Sequence, residues 1–184
     1  MRRAGAAGFT ITELVVAVAI IAVGSSIAIA VTGREIRRER INSAAVGLSG
    51  WLEEVRRAAL KGNPCTITIT ASSGIARGGI LASAREVPTP ALAPLPRDNR
   101  CQADKPYRVA NELGNARVAI SPSLTFSFGT LGTVTPTTDK ELVLTLIQPG
   151  GQSDLARCLR IRGMMGFTEV GNRSGGSCTY PSRY

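Results

Sequence analysis

The chain has 184 residues, 43% of them hydrophobic and only 4% aromatic, enough for one globular domain with a core of Val, Ile, Leu and Ala plus one further segment. The net charge of +9, from 22 basic and 13 acidic residues, favours contact with nucleic acid, anionic lipid or acidic glycans. With no histidine and no Walker-type glycine loop, Ser-His-Asp and Cys-His catalysis, an imidazole metal site and nucleotide hydrolysis are excluded, so the chain reads as a non-enzyme with no cofactor and no metal.

The first informative stretch is Ala7-Gly8-Phe9-Thr10-Ile11-Thr12-Glu13-Leu14, followed by an apolar run to Val31 with no charge after Glu13. Leu14 to Val31 is long enough, at ~1.5 Å per helical residue, to cross most of a bilayer. Glu13 at its head needs a partner, because a carboxylate in hydrocarbon costs at least ~2.5 kcal/mol. A cut between Gly8 and Phe9 would create an α-amino group one helical turn from that carboxylate, or within reach of a neighbouring chain's. A secretory signal would place its small-residue cleavage site after the run, where Ala28-Ile29-Ala30 is a weak one; a plain anchor leaves Glu13 without a purpose.

Gly24-Ser25-Ser26 interrupts the run with poor helix formers, and Arg34-Glu35-Ile36-Arg37-Arg38-Glu39-Arg40 then forms a charged collar, read either as a solvated surface or as a contact for anionic head groups or adjacent subunits. Counting positive charges on the two sides of the run does not decide orientation. From Ile41, apolar residues recur at Ala45, Leu48, Leu52, Val55 and Ala59, which predicts that the helix continues to Gly62-Asn63-Pro64 and packs that stripe on a domain.

Beyond Pro64 the pattern is that of strands. Cys65–Thr70 alternates polar and apolar residues, Ser72-Ser73-Gly74 reads as its closing turn, and Gly79–Ala84 as its hairpin partner. Four prolines in Val87–Pro96 predict a loop of polyproline character. Further strands are predicted at 116–120, 124–128, 141–147, 158–162 and 166–170, giving a β-rich meander laid on the Ile41–Ala59 stripe. Cys65, Cys101, Cys158 and Cys178 allow three disulfide connectivities; short loops favour Cys65–Cys101 and Cys158–Cys178. Near the C-terminus Arg157, Arg160, Arg162, Arg173 and Arg183 outnumber Asp154 and Glu169, and Arg160 and Arg162, two apart on a strand, share a face that could meet phosphates.

Gly8-Phe9-Thr10-Ile11-Thr12-Glu13 with its apolar helix resembles the class III signal of type IV pilins and type II secretion pseudopilins. The resemblance implies cleavage after Gly8 by a prepilin peptidase, N-methylation of Phe9, and a charge pair between Glu13 and a Phe9 amine during filament assembly. It also implies an α+β pilin fold, a long N-terminal helix packed on an antiparallel β-sheet domain. The expected parts are a leader (1–8), a transmembrane and filament-core helix (9–33), its amphipathic continuation (34–63) and an extracytoplasmic β-rich domain (64–184). The chain would be a single-pass protein of the cytoplasmic membrane, N-terminus inside, that later enters a pilus or pseudopilus, with part of its anchor helix melting near Gly24-Ser25-Ser26 in the filament. Its partners would be other pilin or pseudopilin subunits, the prepilin peptidase, an inner-membrane assembly platform and membrane lipid.

Leu124–Val134, Leu142–Leu146 and Cys158–Phe167 resemble blocks of the GspH/FimT subfamily, although here Arg160 and Arg162 precede Gly163 where that subfamily has a glycine before its basic pair. FimT-like minor pilins can capture DNA through a basic C-terminal region, so the resemblance adds DNA uptake through Arg157, Arg160, Arg162 and Arg173 as the alternative function. A membrane-anchored adhesin is a third reading, for which the sequence shows no groove.

Overall fold

No proline interrupts the sequence between Thr10 and Gly62, and a single helix, α1 (Ile11–Ala59), occupies 49 of these positions. The structure is a computed structural model describing residues 10–62, 64–87, 101, 105–153 and 155–181, with the side chains of residues 26–32 and 112 outside the described set. It divides into two units, Met1–Arg37 and Arg38–Tyr184, and α1 contributes to both.

In the first unit Ile11, Leu14, Val15, Val16, Val18, Ile20, Ile21 and Val23 are all exposed, and the helix is unbroken through Gly24-Ser25-Ser26. Among the described residues no helix is long and apolar enough to cross a membrane; the predicted run Leu14–Val31 passes through residues whose side chains are not described.

In the second unit the predicted stripe is the core of the fold. Ile41, Ala45, Leu48, Leu52, Val55 and Ala59 are at most 1% exposed, and Ala44, Trp51 and Ala58 widen the stripe. Each large aliphatic side chain buried this way contributes about 1.5–3 kcal/mol. Glu54 and Arg57 point to solvent, and α1 ends in a turn at Gly62, whose φ of 122° suits glycine.

Two antiparallel sheets complete the unit, where a single meander was expected. The first contains β1 (Cys65–Ile69), β3 (Ile80–Glu86), β4 (Tyr107–Arg108), β6 (Leu124–Phe128) and β7 (Val134–Thr135), in the order β4-β3-β1-β6-β7. The second contains β2 (Ser72–Ile75), β5 (Arg117–Ser121), β8 (Lys140–Ile147), β9 (Leu155–Ile161), β10 (Thr168–Ser174) and β11 (Ser177–Thr179), in the order β11-β10-β9-β8-β5-β2. Strands β1 and β3 pair antiparallel as predicted, but Ser72-Ser73-Gly74 belongs to a strand and not a turn, because β2 leaves β1 to edge the second sheet on β5. Strands β4, β7 and β11 are two or three residues long and were not predicted; they exist through the longer strand each one pairs with.

Alternation sends one face of each sheet inward. Ile67, Ile69, Phe126 and Phe128 line the first, and Leu142, Leu144, Leu146, Leu159 and Ile161 the second; these and the α1 stripe form one buried cluster. Polar bonds from α1 reach both layers. Ser49 bonds Thr168, the Arg56 Nε–H donates to Gly132 O at 3.1 Å, and Ala44 O accepts from the Tyr107 hydroxyl at 2.9 Å. Both expected disulfides are present, Cys65–Cys101 and Cys158–Cys178, with Cα separations of 5.5 and 5.9 Å.

Candidate functional site

The start of α1 is built by Thr10 and Glu13. The Thr10 backbone N–H and hydroxyl donate to Glu13 Oε2 at 3.0 and 2.8 Å, and the Glu13 N–H donates back to Thr10 Oγ1 at 3.4 Å. This is a capping box, with Thr10 as the N-cap and Glu13 three positions on, each satisfying a backbone donor of the first turn. Both bonds to the carboxylate use Oε2, so Oε1 has no bond among the described residues. One oxygen holds the helix end while the other is open to an outside donor. Glu13 shares its helix face with Val16, Ala17 and Ile20, so such a donor would approach along an apolar surface. Gly8 and Phe9, where cleavage and methylation are expected, lie outside the described residues. The capping role of Thr10 was not anticipated, although Thr-x-x-Glu spacing is its sequence signature.

The basic C-terminal region is distributed over two faces. Arg160 faces Glu141 of β8 and Glu169 of β10 across the ladder. Glu169 Oε2 accepts from Arg160 Nε and Nη2 at 3.0 Å and from Arg162 Nε at 3.3 Å, while Arg162 Nη1 donates to Asp139 Oδ2 at 3.0 Å. Asp139 also accepts the Gly163 N–H at 2.9 Å; that bond first, and then Arg162, hold its carboxyl below the usual aspartate range. Tyr180 lies over Arg160, with the guanidinium carbon 3.8 Å from the ring centroid, and its hydroxyl donates to Glu141 Oε2 at 2.8 Å. Burial, and then the bond to Glu141, push the Tyr180 phenol well up, so it stays a donor.

By strand alternation Arg173 shares this outer face and is exposed. Arg157 does not. It lies three residues from Arg160, on the core-facing side with Leu159 and Ile161, and is half-buried. The four arginines therefore do not form one patch, and Arg183 lies outside the described residues. Among the described residues no group of three His, Cys, Asp or Glu is placed to hold a metal.

Residues 3–29 match the family model of the prokaryotic N-terminal methylation motif. By this motif the chain is type IV pilin-like. Two crystal structures of the type IV minor pilin FimU from Pseudomonas aeruginosa are similar to it at 18% identity. They cover 75% and 77% of this chain and 96% and 94% of their own, with TM-scores of 0.40 and 0.41. No curated protein is significantly similar in sequence.

In this pilin-like chain the Cys158–Phe167 block has a structural task. A Cβ on Gly163 would run into the Thr137 carbonyl, and one on Gly166 into that of Gly132, so both glycines are required by close backbone approach. The turn they form carries Arg162 to Asp139 and closes against the end of α1 through Arg56. Glu169, Asp139 and Tyr180 were missed as partners because strand pairing, not sequence distance, brings them to the arginines.

Proposed function

We propose that this chain is a minor pilin or pseudopilin of GspH/FimT type. It is cleaved after Gly8 by a prepilin peptidase, methylated at Phe9, and held in the cytoplasmic membrane by its 9–33 helix with the N-terminus inside and the β-rich domain outside. It then enters a type IV pilus or a type II secretion pseudopilus. The observation that carries this reading is the methylation motif over residues 3–29, with Glu13 at the head of the helix. The capping geometry supports it chemically: Glu13 can cap its own helix through Oε2 and still accept a Phe9 amine through Oε1, neutralising both charges in an apolar setting. The role is that of a structural subunit.

The test is a pair of substitutions expressed with the assembly system. Gly8→Ala should leave an uncleaved precursor that is not incorporated; normal processing would remove the reading. Glu13→Ala should be cleaved and inserted but enter filaments poorly, and unchanged incorporation would sink the charge pair.

DNA capture is the second reading, favoured by the placement of Arg160, Arg162 and Arg173 on one face of the second sheet. Against it, Arg160 and Arg162 already have carboxylate partners, which leaves Arg173 as the exposed cation of the three. Duplex binding that falls steeply with salt, and is lost in the Arg160→Ala/Arg162→Ala variant, would establish it; no binding at low salt would dismiss it.

A further inference from the structure

The outer face of the first sheet carries hydroxyls where that of the second carries ion pairs. With Ile67, Ile69, Phe126 and Phe128 turned to the core, alternation sends Thr66, Thr68, Thr125 and Ser127 outward. Register sets Arg85 of β3 opposite Thr66 of β1 and Ser83 opposite Thr68, while β6 brings Ser127 and Thr125 to the other flank of the same two threonines. Side chains directly opposite on one face stand about 4.5–5.5 Å apart at Cβ, so these groups are close enough to act on one ligand. Over β1 and β3 the face opens into a cleft of about 570 Å³, lined by Thr66, Thr68, Ser83, Arg85, Glu86 and Val87. Its frame is held firmly: the Val87 N–H donates to Pro64 O at 2.9 Å, and Cys65, opposite Glu86, is tied to Cys101. Thr66 and Ser127 bond each other at 2.8 Å. Among the described residues the side chains of Thr68, Ser83, Arg85 and Glu86 have neither a hydrogen bond nor an ion pair.

We propose that this cleft binds a neutral sugar ring of a glycan chain. Its volume lies within the range of about 300–1,000 Å³ usual for small-molecule sites, and its polar groups converge from two adjacent strands. One guanidinium and one carboxylate leave the lining without net charge, which disfavours a polyanion such as DNA. The guanidinium only donates, the carboxylate only accepts, and the hydroxyls of Thr68 and Ser83 do both. A ligand that satisfies all of them must donate and accept at neighbouring atoms, as each hydroxyl of a sugar ring does. Glu86 accepts from one ring hydroxyl, Arg85 donates to another, and Thr68 and Ser83 complete the contacts. None of the described lining residues is aromatic, so there is no ring for the sugar to stack on, and the expected dissociation constant is on the order of 1 mM. The site stands on the first sheet alone and does not depend on filament entry.

The experiment uses the full-length chain in phosphatidylcholine nanodiscs and reads saturation-transfer NMR from the protein to maltose, lactose and chitobiose, which between them present axial and equatorial hydroxyls and an N-acetyl group. The expected result is transfer to at least one sugar, with a dissociation constant on the order of 1 mM, for the native chain and for Thr145→Val, which removes a hydroxyl from the second sheet. Binding should be at least about tenfold weaker in Glu86→Gln and in the Thr68→Val/Ser83→Ala chain. Glutamine keeps the size of Glu86 and valine the branching of Thr68, and Arg85→Gln at an exposed position is a third variant with little packing to lose. The unfolding midpoint of each variant, measured on the same discs, separates loss of the site from loss of the fold. No transfer to any of the three sugars overturns the site. Transfer of native strength in Glu86→Gln and in the Thr68→Val/Ser83→Ala chain does the same, because the sugar would then bind elsewhere. Binding of a short DNA duplex that is lost in Arg85→Gln, without any response to sugar, gives the cleft to phosphates and overturns the proposal.

Discussion

Replacing Glu169 by glutamine keeps its size and removes its charge, which makes it a direct measure of what the outer-face network contributes. One oxygen, Oε2, serves Arg160 at 3.0 Å and Arg162 at 3.3 Å, and the Glu169 side chain is 11% exposed against 25% and 39% for its partners. Breaking a fully buried ion pair costs about 3–5 kcal/mol and an exposed one about 0–1 kcal/mol. This cluster lies between, with the Arg162 contact discounted for solvent screening, so the expected loss is about 1–2 kcal/mol. For a unit of this size that is a fall in midpoint of roughly 3–8 °C, smaller at high salt. Denaturant unfolding of Glu169→Gln beside the native chain measures it. The same variant should strengthen low-salt binding to duplex DNA and steepen the salt slope by about 1, because Arg160 loses its competitor while Arg162 keeps Asp139. A stability equal to the native chain's at low salt would refute the network as a structural element, whatever happens to DNA.

Gly47→Ala separates local propensity from packing. Alanine should gain about 1 kcal/mol in a helix interior, yet its Cβ would meet the Tyr107 hydroxyl at 2.5 Å and break that group's bond to Ala44 O. With about 1 kcal/mol for the bond and 1–3 kcal/mol for strain, the net is a loss of about 1–3 kcal/mol, relieved in a Tyr107→Phe background; a more stable Gly47→Ala would refute this packing. For Asp139 the folded carboxyl titrates below its ordinary 3.8, so its contribution is complete above that value and is lost as pH falls through the lower, folded one. The stability gap between the native chain and Asp139→Asn should therefore be constant well above pH 3.8 and close on acidification, and a gap that persists in acid would show that the Gly163 and Arg162 bonds do not favour the ionised form. Thr10→Ala removes the cap of α1 and should cost about 0.5–2 kcal/mol of local helix stability, read as faster amide exchange over the first turn; unchanged exchange would mean that Glu13 is not held by Thr10.

The sequence alone determined what depends on near neighbours along the chain. A helix stripe at steps of three and four buries the same residues wherever the helix lands, so Ile41 to Ala59 could be named before any partner was known. The long strands, the Gly62 stop and the Gly8–Glu13 signature are local in the same sense, and loop length sufficed to prefer Cys65–Cys101 and Cys158–Cys178. Tertiary structure decided what depends on register. Whether Ser72-Ser73-Gly74 is a turn or an edge strand depends on β5, and whether β11 exists depends on β10. The basic region shows the difference most plainly: Arg157 and Arg160 are three apart in sequence, but strand alternation sends one to the side of Leu159 and Ile161 and the other to Glu169 and Tyr180. Charge can be counted from composition, but whether a charge is free, paired or short of a partner is set by the strand opposite it.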